Sequence, residues 1–237
     1  MQFLVGTSGY SYKEWRGNFY PADARPQDML RLYGERLQTV EINNTFYRMP
    51  TEKMLLGWAG QVGDDFSFVL KASRRITHHQ RLKDSGEALS YLLQTSMALG
   101  PKLGPMLFQL PPNLPQEIGR LTDFLSLLPN RWPAAFEFRH ESWFDEATYE
   151  TLRSRGAALV VADTDDDDKP PDIVPTAGFG YLRLRREAYD DDQLRVWVER
   201  IAAQPWDRVY VFFKHEDEGA GPGLAERFKE LASSTDP

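Results

Sequence analysis

The sequence predicts an α/β protein, a single-domain (β/α)8 TIM-like barrel spanning residues 1–237. Three observations predict it. Eight short apolar, β-prone runs recur along the chain, each separated from the next by enough residues for a crossover helix. Helical patterns fill most of those intervals, and a steady alternation of strand and helix builds a parallel sheet. No glycine-rich fingerprint follows the first run, where GTSGYS does not match G-x-G-x-x-G, so a doubly wound open sheet is the weaker alternative.

The elements follow in order. The first strand is FLVGT (3–7). A helix over 26–37 then puts Met29, Leu30, Tyr33 and Leu37 on one face. The second strand, TVEIN (39–43), precedes a helix over 51–62 that opens on a capping threonine. The third, FSFVLK (66–71), leads to a helix over 85–100 that stops at a glycine. PMLFQL (105–110) is followed by a helix over 114–128, and AAFEF (134–138) by one over 145–156. AALVVAD (157–163) is the sixth strand. The acidic, proline-rich connection from 163 to 180 shows no helical pattern. YLRLR (181–185), a helix over 190–204, VYVFFK (209–214) and a helix over 223–233 complete the chain, and no strong boundary splits it.

Composition narrows the function. With 41% apolar and 13% aromatic residues in 237, a sizeable core is expected. The absence of cysteine excludes disulfides, iron–sulfur clusters and thiol catalysis. The start, MQFLVGTSGY, lacks a basic segment followed by a long apolar run, so no signal peptide is expected there, and no stretch reaches the roughly 18 apolar residues of a membrane span. A cytoplasmic location without a membrane partner is expected. A net charge of -7 argues against an extended nucleic-acid partner but leaves room for a local basic pocket.

Side-chain alternation carries the argument to a site. In AAFEFR (134–139), Phe136 and Phe138 share one face while Ala135, Glu137 and Arg139 share the other. The same split sets Val40 and Ile42 against Glu41 and Asn43, and Phe68 and Leu70 against Val69 and Lys71. It sets Phe108 and Leu110 against Gln109, and Leu182 and Leu184 against Tyr181, Arg183 and Arg185. The apolar faces would pack on the helices. The polar faces then point into the barrel, mostly near the C-terminal strand ends where barrel active sites are built. A buried salt-bridge network that merely fills the lumen is the competing reading.

Other strand ends add candidates. Asp163 closes the sixth strand, as a catalytic carboxylate, a metal ligand or a loop cap. The acidic run at 165–168 lacks the glycine of a calcium loop and reads as a solvated loop. Tyr10, Tyr12 and Trp15 after the first strand, Phe46 and Tyr47 after the second, and Trp143 after the fifth could wall a small polar ligand or simply pack the barrel top. Lys71, Arg74, Arg75, His78 and His79 suggest a local anion site on the third loop. Glycines in KHEDEGAGPG after the eighth strand give a weak phosphate-loop signal. No H-E-x-x-H or G-x-S-x-G motif occurs, and Glu137, Asp163 and His215 form the alternative divalent-metal set.

The segments VGTSGYSYKEWRGNFYP, VEINNTFYRMP, FVLKASRRITH, LGPMLFQLPPNL, FEFRHESWF and YLRLR, in this order, closely resemble the YecE-like family, domain of unknown function seventy-two. The resemblance covers nearly the whole chain. It implies a TIM-like barrel in one domain and brings no settled activity. Matching positions include Glu41, Asn43, Phe46, Tyr47, Lys71, Gln109, Glu137, Arg139, Trp143, Asp163 and Arg183. Departures fall at Arg185 and Arg186, where the family tends to have histidine and glycine, and at Lys214 and His215, where it tends to have asparagines.

The leading expectation is a hydrolase-like enzyme acting on a small anionic or polyhydroxylated substrate, phosphorylated in one version. Glu137 is the expected general base or nucleophile, with Glu41, Asp163 and Lys71 as further catalytic candidates. Arg139, Arg183, Gln109, Asn43, Tyr12, Trp15, Phe46, Tyr47 and Trp143 are the substrate-binding candidates. Two alternatives stand beside it. One is a divalent-metal-dependent phosphoesterase or isomerase, and the other a non-catalytic small-ligand or nucleotide-binding module. No cofactor is assigned.

Overall fold

A computed structural model describes residues 1–165, 170–214 and 220–234. His215, most of the acidic run at 165–168 and the first part of the glycine-bearing loop after the eighth run lie outside the described residues.

The strand segments are β1 (Gln2–Ser8), β2 (Thr39–Ile42), β3 (Ser67–Lys71), β4 (Leu103–Gln109) and β5 (Ala134–Glu137). They continue as β6 (Ala158–Leu159), β7 (Val161–Asp163), β8 (Phe179–Leu184) and β9 (Arg208–Phe213). Every pairing is parallel, and the spatial order is β6-β5-β4-β3-β2-β1-β9-β8-β7. The two ends of that order, β6 and β7, are consecutive in the chain. Only Val160 separates them. The barrel is therefore closed by covalent continuity, and the sixth predicted strand is one run broken in two. Its first half pairs with β5 and its second with β8, so the run changes partners at Val160.

The helices are α1 (Met29–Gly34), α2 (Asn44–Tyr47), α3 (Glu52–Ala59) and α4 (Gly86–Ser96). They continue with α5 (Ile118–Ser126), α6 (Glu146–Arg153), α7 (Asp191–Ala202) and α8 (Ala220–Ser233). Their starts follow the sequence. The Thr51 side chain accepts the Met54 N–H, Asp145 accepts the Thr148 N–H, and Asp190 forms a capping box with Gln193. The helix expected over 85–100 ends instead at Ser96. A 3-10 turn (Met97–Lys102) follows, and Gly100 within it has a φ of 53°, a conformation that favours glycine.

Apolar strand faces and helix stripes form the layer outside the barrel. Phe68, Leu70, Phe108, Phe136, Leu182 and Phe213 are all fully buried there. The barrel interior is a separate apolar plug that includes Leu4, Val69, Leu107, Ala135, Tyr181 and Phe212. Close approach of β1 to β2 depends on Gly6, since a Cβ there would lie 2.0 Å from the Thr39 carbonyl oxygen. Among the described residues no helix is long and apolar enough to cross a membrane.

Candidate functional site

Above the apolar plug the inward positions turn polar, as strand alternation predicts. Glu41 is fully buried on β2 and accepts hydrogen bonds from Ser8 Oγ (2.9 Å), Tyr181 Oη (2.6 Å) and Arg183 Nη2 (2.8 Å). Glu137, also buried at the end of β5, receives Arg183 Nη1 on Oε2. Its Oε1 receives Gln109 Nε2 at 2.7 Å and Arg139 Nε at 3.2 Å, with Arg185 Nη1 3.6 Å away. Gln109 turns its oxygen to Lys71 Nζ at 2.8 Å. One guanidinium, Arg183, thus ties two buried carboxylates from opposite parts of the ring.

Electrostatics follow from this wiring. Burial works to raise the Glu137 carboxyl, but Arg183, Arg139 and Arg185 together outweigh it and hold it down at about 2. Burial also works to lower Arg183, and Glu137 and Glu41 overcome it to push that group up. Lys71 moves the other way. Burial and the Arg183 charge bring its ammonium down to about 8, against the opposing pull of Glu41 and Glu137. The Phe46 ring covers Nζ, 4.4 Å from the ring centre.

That ring is placed by α2, a short helix with no clear signature in the sequence. Thr45 Oγ1 donates to both Ile42 O and Lys71 O, which fastens α2 to the ends of β2 and β3. Over the network lies a cavity of about 320 Å³. Its wall includes Tyr12, Asn43, Phe46, Tyr47 and Gln109, together with five cationic side chains: Lys71, Arg139, Arg183, Arg185 and Lys214. Among the described residues no carboxylate is part of that wall. Set against the two carboxylates beneath, five formal positive charges leave three in excess, on a chain whose net charge is -7. The Nε of Arg183 is buried and makes no hydrogen bond to a described residue.

The structure therefore gathers Glu41, Lys71, Gln109, Glu137, Arg139 and Arg183 at one rim, with Asn43, Tyr12, Phe46 and Tyr47 around it. It leaves three expected residues out. Asp163 is level with Leu184 and shares its outward side, where it accepts from Tyr189 Oη (2.8 Å) and Arg186 Nε (2.9 Å). Trp15 is 1% exposed and packs among Tyr12, Phe19 and Tyr20. Trp143 is fully buried, stacked 4.5 Å from Phe138, with Nε1 donating to Leu114 O. Both tryptophans are core groups that support the loops.

The alternative metal set is not assembled either. Glu137 faces inward, Asp163 outward, and His215 lies outside the described residues. Among the described residues no three histidine or acidic side chains cluster as a metal site would require. The basic third loop also spreads out. Arg74, Arg75 and His79 are exposed, and only Lys71 of that set lines the cavity. Ser8 and Lys214 were missing from the expected site, and Tyr181 and Arg185, although on the inward parity, were not named as site residues. Lys214 shares parity with the inward Phe212, so alternation alone could have found it as well.

Known proteins resemble this chain along its length. The family model described as "Protein of unknown function DUF72" matches residues 4–236. The UPF0759 protein YecE of Escherichia coli K12 is 31% identical, over 88% of this chain and 87% of its own. YunF, a UPF0759 protein of Bacillus subtilis 168, is 27% identical, over 90% and 79%. The crystal structure of a DUF72 family protein from Thermotoga maritima superposes with a TM-score of 0.84 at 26% identity, covering 98% of this chain and 100% of that one. With its closed parallel barrel, its inward polar ring and a family match over almost every residue, this chain belongs to the DUF72 family.

Proposed function

We propose that the barrel mouth binds a small molecule through a phosphate or carboxylate group. One observation carries this reading: five cationic side chains line a single cavity, and Glu41 and Glu137, the carboxylates that touch them among the described residues, are already engaged from below. Anions suit such a surface because guanidinium–oxyanion hydrogen bonds are charge-assisted and often two-pronged. A neutral polyhydroxylated ligand would leave the excess charge unanswered.

In this reading Glu137 and Glu41 act as anchors. A carboxyl held at about 2, with both oxygens occupied, is a weak base and a hindered nucleophile. They hold Arg183 and Arg139 in place without cancelling the whole positive field. The group suited to move a proton near neutral pH is Lys71, brought down to about 8 and seated in the cavity wall. That observation favours a second reading, in which the protein is an enzyme and Lys71 its general base.

Calorimetric titration with inorganic phosphate and pyrophosphate at low and high salt tests binding. Affinity should fall as salt rises. Arg185→Met should weaken it roughly tenfold, about 1.4 kcal/mol, in line with one lost charged hydrogen bond. Absence of binding by the wild type would overturn the reading. For catalysis, turnover of a panel of phosphorylated and carboxylated metabolites should vanish in Lys71→Met while anion binding persists in weakened form. Undiminished turnover would remove Lys71 from the chemistry.

A further inference from the structure

The break at Val160 has a geometric result. The ladder from β5 continues only to β6, and the ladder from β8 only to β7. Beyond Leu159 the C-terminal extension of β5, at Phe138 and Arg139, faces β7 without a strand pairing. A cavity of about 720 Å³ lies along this seam. It is larger than the mouth cavity and abuts it, because Arg139 and Arg185 belong to both walls.

The seam changes character along its length. At the shared end stand the two guanidiniums, with the Glu137 carboxylate that both approach. Its flanks include Phe144, Tyr149, Leu159, Val160 and Val161. Asp172, an exposed acid, stands elsewhere on the wall. Phe144 is 51% exposed and stands on this wall, where its ring is open to a ligand. A negative group is drawn to the guanidinium end, whereas Phe144, Tyr149, Pro171 and Val174 give the remaining wall its apolar and aromatic part, beside Thr164 and Asp172. Both volumes fall within the range of ordinary ligand pockets.

We propose that the seam is the second half of the ligand site, a slot for the aromatic or aliphatic body of a molecule whose anionic group sits on Arg139 and Arg185. This rests on the anion-binding reading above and deepens it. The ligand class becomes an organic phosphate or carboxylate with a bulky apolar portion, rather than a bare sugar phosphate.

The test compares inorganic phosphate, glycerol phosphate and phenyl phosphate by calorimetry at fixed ionic strength and pH 7. It uses the wild type, Phe144→Ser and Ala162→Leu, the latter at another residue of the seam wall. Phe144 is largely exposed, so its replacement leaves the fold intact even where the Ala162 variant does not fold. Phenyl phosphate should bind the wild type at least tenfold more tightly than glycerol phosphate. In both variants that preference should shrink to under threefold, with inorganic phosphate affinity unchanged. Equal binding of the two esters, beside normal phosphate binding, would overturn the slot and leave the anion site standing. A phenyl preference that survives both substitutions would also overturn the slot, since the ring would then sit elsewhere. Failure of all three compounds to bind would overturn the slot and the anion site together.

Discussion

Replacing Arg183 by methionine isolates the part of the site on which everything else leans. The change keeps most of the side-chain length and removes one charge that is 3% exposed. Glu41 would lose a 2.8 Å partner but keep Ser8 and Tyr181, and Glu137 would lose the Arg183 bond to its Oε2 but keep Gln109 and Arg139. Breaking a buried pair by removing one partner costs roughly 3–5 kcal/mol. Glu137 alone gives a similar scale. A carboxyl held at about 2, against 4.5 ordinarily, contributes roughly 3 kcal/mol at neutral pH. We expect a loss of about 3–5 kcal/mol, a large share of the roughly 5–15 kcal/mol of a typical domain. Urea unfolding followed by tryptophan fluorescence would measure it. The loss should narrow on acidification, because Glu137 in the variant takes up its proton at a higher pH than the wild-type group does. A loss under about 1 kcal/mol, or one that does not vary with pH, would refute the reasoning.

Five further outcomes follow from the same geometry. The depressed Glu137 carboxyl gives stability that is present above about pH 4.5 and drains away as pH falls toward 2, so acid unfolding should begin earlier in wild type than in a Glu137→Gln, Arg183→Met double variant. Lys71 has the same sign in a different window: its lowered ammonium means the unfolded chain binds more protons between about 8 and 10.5, so this group adds stability as pH rises through that window. Anion affinity should decline across a midpoint near pH 8 as Lys71 loses its charge, and Lys71→Arg should flatten that profile. Trp143→Ala should cost roughly 3–5 kcal/mol in chemical denaturation while leaving phosphate affinity within about twofold, as befits a core group. Asp163→Asn should likewise spare anion binding and lower stability by about 1–3 kcal/mol, since it weakens the buried bonds to Tyr189 and Arg186.

Much of this was legible in the sequence, for identifiable reasons. A strand buried on both faces normally reads as a continuous apolar run. Here Glu41, Lys71, Gln109, Glu137 and Arg183 interrupt those runs at alternate positions, and period-2 alternation assigns them one side. Their convergence then follows from barrel closure. Asp163 misled because its position at a strand end resembles theirs, whereas its parity is that of Leu184. Trp15 and Trp143 misled because an aromatic in a loop reads the same whether it faces a ligand or the core. The break at Val160 left no mark, since 157–163 is uniformly apolar up to its last residue. A change of hydrogen-bond partner is a property of neighbouring strands. For the same reason the seam cavity could not be anticipated. The chemical role of Glu137 also needed coordinates, because its low pKa depends on three guanidiniums arriving from residues 139, 183 and 185.

The most direct measurement is a crystal structure grown in phosphate. The account predicts a tetrahedral anion in the mouth cavity, within about 3 Å of the Arg139 and Arg185 guanidiniums and near Lys71, with Glu41 and Glu137 still clasping Arg183 beneath it. A mouth that holds a cation against Glu137, or phosphate found only on outer surfaces while those arginines turn away to solvent, would contradict it.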